Sequence, residues 1–423
     1  MQLSILVRRL LLAAIVAASC PLSSAHAQDH GAGHSHALSK GSKTTGPKGA
    51  CDGAELTCAL TATPVFDTRN RLWIAWTAQS KVWVAHQVTP GAPFGTAIAI
   101  TPLPVRLDTG PDSRPKIVID AAGRVVVAFA TLLPEAGHYG QIFTSASHDD
   151  GQTFSTPQRI DPASPGHRFE ALQFLPDGSL FVATIDKANA VAAKTAGNAY
   201  SGAALSYAIS TDGGISFPPA RVAVDHSCEC CRIGMALNSK GEPVVLFRNI
   251  FDGTTRDHAI VAFGANGTPG PLRRISVDEW VTDTCPHHGP AIAITPADTI
   301  HVVWYTAGKA RKGVYYARSA DNGVTFSQPR ALGRKGVQVS RPQVLSTGKD
   351  LLLAWKEFDG ETTRVMVQTS LDDGLTWREP SSLATTRGRA DHPQLLTDRH
   401  GAVFVSWLTD GEGHRMLPLG GAS

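Results

Sequence analysis

The sequence has no apolar run long enough to cross a bilayer, no stretch with a helical period, and almost no net charge. Its longest apolar run, Leu10 to Ala18, falls well short of the roughly 20 residues a spanning helix needs, so no membrane span is expected. Apolar residues never recur at 3.6-residue spacing over a useful length, which argues against a helical architecture. The 39 Lys and Arg exceed the 36 Asp and Glu by only three, and two of the excess, Arg8 and Arg9, sit at the extreme N-terminus. Such a balance excludes nucleic acid or an anionic membrane as the main partner.

Those two arginines head a secretory signal. A short basic start, the apolar run and the small-residue sequence Ala25-His26-Ala27 together predict a signal peptide over residues 1–27 and a periplasmic or secreted protein. A rival cut at Cys20 is disfavoured, because Ala17-Ala18-Ser19-Cys20 lacks the usual leucine of a lipoprotein signal. Residues 28–50 hold Gly, Ser, Lys, Thr and His with very little to bury, and read as a flexible tail.

From residue 51 to 423 one pattern repeats, and a single domain is expected. Short apolar runs recur at Leu72 to Trp76, Val125 to Phe129, Leu180 to Thr184, Val244 to Phe247, His301 to Tyr305, Leu351 to Trp355 and Val403 to Trp407. Their pitch of roughly 50–60 residues is that of a four-stranded propeller blade. Tight turns such as Asp177-Gly178 and Lys240-Gly241 precede them, and third strands such as Gly140 to Ser145 follow. The fold class is therefore all-β: a β-propeller of four-stranded antiparallel blades, seven in number with six as the alternative. The last repeat lacks a fourth strand, which residues 51–60 are expected to supply, closing the ring.

Four third strands run into the same motif. It reads Ser147-x-Asp149-x-Gly151-x-Thr153-Phe154 and Ser210-x-Asp212-x-Gly214-x-Ser216-Phe217, then Ser319-x-Asp321-x-Gly323-x-Thr325-Phe326 and Ser370-x-Asp372-x-Gly374-x-Thr376-Trp377. Asp and Ser suit the capping of a turn, Gly its positive φ, and the aromatic the space between two sheets. These are Asp boxes, and from about Cys58 to Trp407 the chain resembles the sialidase-like, BNR-repeat propeller superfamily. The resemblance implies that the boxes lie on the periphery, away from a central pocket.

The starts of the innermost strands should line that centre. In order they are Thr63-Pro64, Ser113-Arg114-Pro115, Arg168-Phe169-Glu170, Cys230-Cys231-Arg232, His287-His288-Gly289-Pro290, Ser340-Arg341-Pro342 and Asp391-His392-Pro393. They are polar, charged or metal-capable, which is the mark of a functional pocket. Cys228, Cys230, Cys231, Cys285, His287 and His288 come from adjacent blades, and thiolates with imidazoles at this density suit copper or zinc. Disulfides are the competing expectation for a secreted chain, with Cys51 and Cys58 as one pair and Cys285 bridging to one of the other three. Both remain open on sequence, and they are compatible if one pair is bridged.

A second group is Arg114, Arg168, Arg232 and Arg341. Ser113-Arg114-Pro115-Lys116-Ile117 resembles the opening of a sialidase repeat. That resemblance implies a carboxylate clamp of Arg114, Arg232 and Arg341, with Glu170 or Asp391 as the acid-base group. The same family uses a late tyrosine as nucleophile, and no tyrosine follows Tyr316 here. Ion pairing of the arginines with Glu170, Glu229 and Asp391 is the competing expectation.

Cleavage after Ala27 would leave Gln28-Asp29-His30 at the N-terminus, where an amine, two amides and an imidazole form a square-planar nitrogen set for copper(II) or nickel(II). His34 and His36 add imidazoles nearby. Three functions follow as expectations. The first is metal handling, with copper ahead of zinc and a periplasmic metal-handling partner. The second is exo-hydrolysis of a glycoside, with a small acidic ligand in the central channel. The third is binding of protein or glycan without chemistry.

Overall fold

The apolar runs become the second strands of antiparallel meanders. The computed structural model describes residues 54–133, 139–282, 287–348 and 350–420. The signal, the tail with His30, His34 and His36, Cys51 and Cys285 lie outside those residues. Second strands such as Leu72–Ala78 and Leu180–Asp186 are buried along their whole length, because a sheet packs on each of their faces. That explains why they read as continuous apolar stretches and not as alternating ones.

The described strands group into seven meanders. Four are separate four-stranded sheets, one is a three-stranded sheet, and an eight-stranded sheet holds the third and fourth meanders, joined where Ser227 pairs with Asn249. Innermost strands Thr61–Phe66, Lys116–Ile119, His167–Phe174, Gly234–Leu237, Ala291–Ile294, Gln338–Ser346 and Gln394–Thr397 each touch the next, and the last touches the first. The cycle is closed.

No central core exists in the usual sense. Apolar side chains fill seven slabs, one between each pair of neighbouring meanders. Phe169, Phe181 and Tyr207 meet Val245, Phe247 and Phe263 between the third and fourth, and Leu408 of the seventh joins Ala62, Ile74 and Trp76 of the first. Each slab holds two sheets face to face, so the closed ring leaves every meander covered by a neighbour on both faces.

Two local expectations change. Residues 54–60 do not add a strand to the last sheet, which has three: Gln394–Thr397, Val403–Thr409 and Gly413–Leu419. Leu56–Cys58 forms one 3-10 turn against Gly413–Leu419 instead. Its amides are used within the turn, Cys58 N donating to Glu55 O at 2.9 Å and Ala59 N to Leu56 O at 3.1 Å, so they are not offered to a ladder. One α-helix, Ala188–Thr195, interrupts the third meander. It buries no residue, so the sequence carries no apolar stripe that would announce it.

All four boxes cap their turns as expected. Ser370 Oγ donates to Asp372 Oδ1 at 2.8 Å and accepts from Gly374 N at 2.9 Å, while Thr376 N donates to Asp372 Oδ1 at 2.8 Å. The same bonds recur around Asp149, Asp212 and Asp321. Hydroxyl and amide donors hold the carboxyls of Asp149, Asp321 and Asp372 down to about 2. Gly374 has φ +77°, and a Cβ there would collide with the hydroxyl of Tyr316 in the preceding meander. Gly374→Ala is therefore expected to destabilise by about 2 kcal/mol or more, from positive φ and displacement of Tyr316 together. Gly411→Ala, with open space around it, is the control expected to stay within about 0.5 kcal/mol in urea unfolding.

Candidate functional site

An antiparallel meander fixes which end of the molecule carries chemistry. The innermost strand starts at one end, and the connection between meanders returns to that same end. The boxes, which follow the third strand, lie at the other. Every polar strand head singled out above thus belongs to one face, opposite the boxes.

Backbone irregularities re-aim several of these heads. Phe169, His287 and Arg341 hold φ of 58°, 48° and 58°. Phe169 and Arg341 fall where pairing shifts register, between Ala183 and Ile185 and between Ser340 and Gln343. A bulge turns its side chains off the regular alternation, and left-handed backbone at a non-glycine residue costs roughly 1–3 kcal/mol, so surrounding contacts must hold it.

At the hub the arginines are engaged. Arg114 Nη2 donates to Asp391 Oδ1 at 2.8 Å, and its Nη1 donates to Ala62 O at 3.2 Å. Arg341 Nη1 donates to Asp112 Oδ2 at 2.6 Å and also to the carbonyl of His287. Arg232 lies 3.5 Å from Asp112 Oδ1 and donates to His392 Nδ1 at 2.6 Å. Arg168 pairs with Asp108. The ion pairing with Asp391 is present, but Asp112 and Asp108 take the other places expected for Glu170 and Glu229. Glu229 pairs with Lys187. Burial brings the Arg232 guanidinium down to about 10.

Several buried polar atoms here have no hydrogen-bond partner among the described residues: both carboxyl oxygens of Glu170, Asp391 Oδ2 and His392 Nε2. Burial raises the carboxyls of Glu170 and Asp391 toward their neutral forms, and it keeps His392 neutral. Lys116 and Lys356 stand apart from the arginines. Each remains partly exposed and donates to a carbonyl, Arg114 O at 3.0 Å and Ala390 O at 2.6 Å. Burial brings both ammonium groups down to about 8.

Beside the hub, in the connection from the third to the fourth meander, three cysteine sulfurs meet. Cys228, Cys230 and Cys231 are 1–2 % exposed, and their Sγ atoms lie within 4.8 Å of one another. Cys228 and Cys230 sulfurs are 3.5 Å apart, far beyond the roughly 2 Å of a disulfide. Thiol donors from Cys230 and Cys231, then Arg248 and Arg256, hold Cys228 well below an ordinary thiol, while Cys231, as a donor, is pushed up. Arg248 Nη1 donates to Cys231 Sγ at 3.0 Å and Arg256 Nη1 to Cys228 Sγ at 3.4 Å. Arg248 also donates to the carbonyls of His288 and Tyr305 and lies 4.2 Å over the Trp280 ring.

No described imidazole lies within 4.8 Å of all three sulfurs. His287 faces Phe169, with ring centroids 6.3 Å apart, and the His288 ring stacks on Tyr305 at 4.1 Å. Tyr305 is also packed edge-on against Trp280. His258, paired across the ladder with Arg248, is 1 % exposed and both its ring nitrogens lack a described partner. Nothing in the sequence marks it, because it sits in a third strand away from the strand heads.

With this geometry in place, comparison with known proteins bears on the fold. An ulvan lyase described as a polysaccharide lyase of a new family matches with a TM-score of 0.56 at 11 % identity, over 84 % of this chain and 91 % of that chain. A second polysaccharide lyase matches with a TM-score of 0.51 at 9 % identity, over 84 % and 88 %. The intramolecular trans-sialidase from Ruminococcus gnavus overlaps more loosely, with a TM-score of 0.48 at 11 % identity over 72 % and 92 %. No family profile matches the chain, and no curated protein matches it. The fold is a β-propeller. Within its described residues no helix is long and apolar enough to cross a membrane.

Proposed function

We propose that this propeller is a periplasmic or secreted metal-binding protein whose thiol cluster of Cys228, Cys230 and Cys231 holds a soft cation, copper or zinc. The observation that carries this is the convergence of three buried sulfurs at a separation too long for disulfides. Thiolates select copper(I) and zinc over harder ions. Three of them around either ion leave the site negative, and a buried negative site needs compensation. Arg248 and Arg256, each donating to a cysteine sulfur, supply it. The histidines His30, His34 and His36 would add a second site for copper(II), as the sequence suggests.

Elemental analysis with thiol counting on the purified mature protein tests the reading. About one copper or zinc per chain is expected, with the three thiols shielded from a thiol reagent until a chelator is added. Protein free of metal under copper- and zinc-replete growth, with these sulfurs in disulfides, would sink it.

A second reading, an acidic carbohydrate at the hub, is favoured by the partnerless polar atoms of Glu170, Asp391 and His392 among basic side chains. The ulvan lyase that shares the fold has also been solved with a GlcA(1-4)Rha3S unit bound. Glycoside hydrolysis on a sialidase plan is less favoured, since Arg114, Arg232 and Arg341 already have carboxylate partners.

A further inference from the structure

We propose that the oxyanion of an acidic sugar is gripped in the hub by Lys116 and Lys356, and not by the arginines. This rests on the acidic-carbohydrate reading above and says which side chains do the binding.

The argument begins with what each cation already holds. Arg114, Arg168, Arg232 and Arg341 each lie within 3.5 Å of an Asp108, Asp112 or Asp391 oxygen. Recruiting one of them for a ligand would break an ion pair that is largely withdrawn from water, and the stranded carboxylate would oppose binding. Neither lysine has that obligation: each donates to a backbone carbonyl, and no described carboxylate lies within 4 Å of either ammonium. An ammonium has three donors, so two remain on each. Lys116 opens the second innermost strand, while Lys356 lies near the end of the second strand of the sixth meander. They approach the hub from two sides.

A second observation points to a ligand. Glu170, 1 % exposed and with neither carboxyl oxygen partnered, sits next to Lys116 as the acid closest in its electrostatic influence. Native interiors rarely leave such groups unsatisfied. Protonated, Glu170 is a hydroxyl donor as well as an acceptor, and His392 offers its Nε2 hydrogen, since Nδ1 accepts from Arg232. An anion with neighbouring hydroxyls, as on a uronic acid, has the chemistry that ammonium groups and these donors can meet.

Proton linkage gives the proposal a signature. Lys116 faces Glu170 and Asp112 but also Arg114 and Arg232, while Lys356 faces Asp391 but also Arg341, Arg114 and His392. A bound anion raises both ammonium groups from about 8, so protons are taken up on binding near pH 8, and affinity falls as pH rises through that region.

The test is calorimetric titration of the full protein with sodium glucuronate, glucose and inorganic sulfate, in two buffers of different ionisation enthalpy at pH 8. Glucuronate is expected to bind with net proton uptake, and glucose not to bind. Lys116→Met and Lys356→Met should each weaken binding by on the order of 10-fold or more. Lys116→Arg and Lys356→Arg should each retain binding with a smaller proton uptake, and the double arginine variant should bind without it. Thermal unfolding separates misfolded variants from folded ones. Lysine-dependent binding of sulfate equal to glucuronate would keep the grip and make the ligand a simple oxyanion. Glucuronate binding that is unchanged in both methionine variants overturns the lysine assignment while leaving the acidic-sugar reading intact. No binding of any anion to the wild type removes that reading itself.

Discussion

Asp112→Ala is expected to destabilise the propeller by about 3–5 kcal/mol, because it strands two cations in the hub. Asp112 is 3 % exposed and faces Arg341 at 2.6 Å and Arg232 at 3.5 Å. Removing one member of such a set leaves charge uncompensated, which is far worse than replacing the whole set with apolar groups. Arg341 would also lose the contact that fixes its left-handed backbone at the bulge, where strain is already stored. Asp112→Asn keeps the shape and should recover part of the loss. Asp359→Ala, a carboxylate on an exposed hairpin, is the comparison expected to leave the urea midpoint nearly unchanged.

The pH dependence has a definite sign. Burial alone would raise the Asp112 carboxyl, but Arg341 and Arg232 override it and hold the group below the usual carboxylate range. A group lowered in the folded state contributes its full stabilisation above its unfolded value of roughly 3.9, and loses it as pH falls through the folded value. Glu170 and Asp391 are raised by burial and act oppositely: their contribution is full in acid and fades as pH rises through their folded values. Urea midpoints followed from pH 7 to pH 3 should therefore fall for the wild type at the acid end, with a shallower fall in Asp112→Ala. A loss under about 1 kcal/mol at pH 7 would show that the hub arginines do not depend on this carboxylate.

The fold was legible because a propeller writes one supersecondary unit many times. Each second strand is sandwiched between two sheets, so Trp73, Trp304, Trp355 and Trp407 fall in continuous apolar runs that need no partner information to recognise. The boxes were legible for a different reason: the capping bonds of their motif serines and aspartates are local, within four residues. The closing segment was not, since Leu56–Cys58 satisfies its own backbone in a turn and carries no strand alternation to betray that choice.

The hub was half legible. Strand heads could be found from proline and polarity, and Arg114 does meet Asp391 across 277 residues of chain. Asp112 escaped because it lies in the short turn Pro111–Ser113 before its strand head, where an acid after proline reads as ordinary turn chemistry. Lys116 and Lys356 escaped because a lysine in a strand is normally a solvated edge group, and only their position among arginines makes them different. For the sulfurs, the sequence brought Cys228, Cys230 and Cys231 together but grouped His287 and His288 with them. Those imidazoles belong to the head of the next innermost strand, and their rings pack on Phe169 and Tyr305.

Metal removal is the other large effect. At a free-metal activity a thousand times the dissociation constant, occupancy of the thiol cluster contributes about 4 kcal/mol of stability. A soft-metal chelator at neutral pH is therefore expected to lower the melting temperature of the wild type by a clear step. The triple variant Cys228→Ser, Cys230→Ser, Cys231→Ser should melt at a lower temperature than the metal-loaded protein and ignore the chelator. Arg248 explains why the apo form should still fold: the Cys228 thiolate continues to face it, so its charge is not stranded when the ion leaves. In the triple variant that anion is gone while Arg248 stays fully buried, so the variant should be less stable than chelated wild type, and not merely equal to it. Trp280 lies against Arg248 and reports the same event optically, with a change in emission on metal addition to wild type and none in the variant. Identical melting curves for wild type with and without chelator, together with unchanged Trp280 emission, would mean that the three sulfurs are a buried thiol cluster and nothing more.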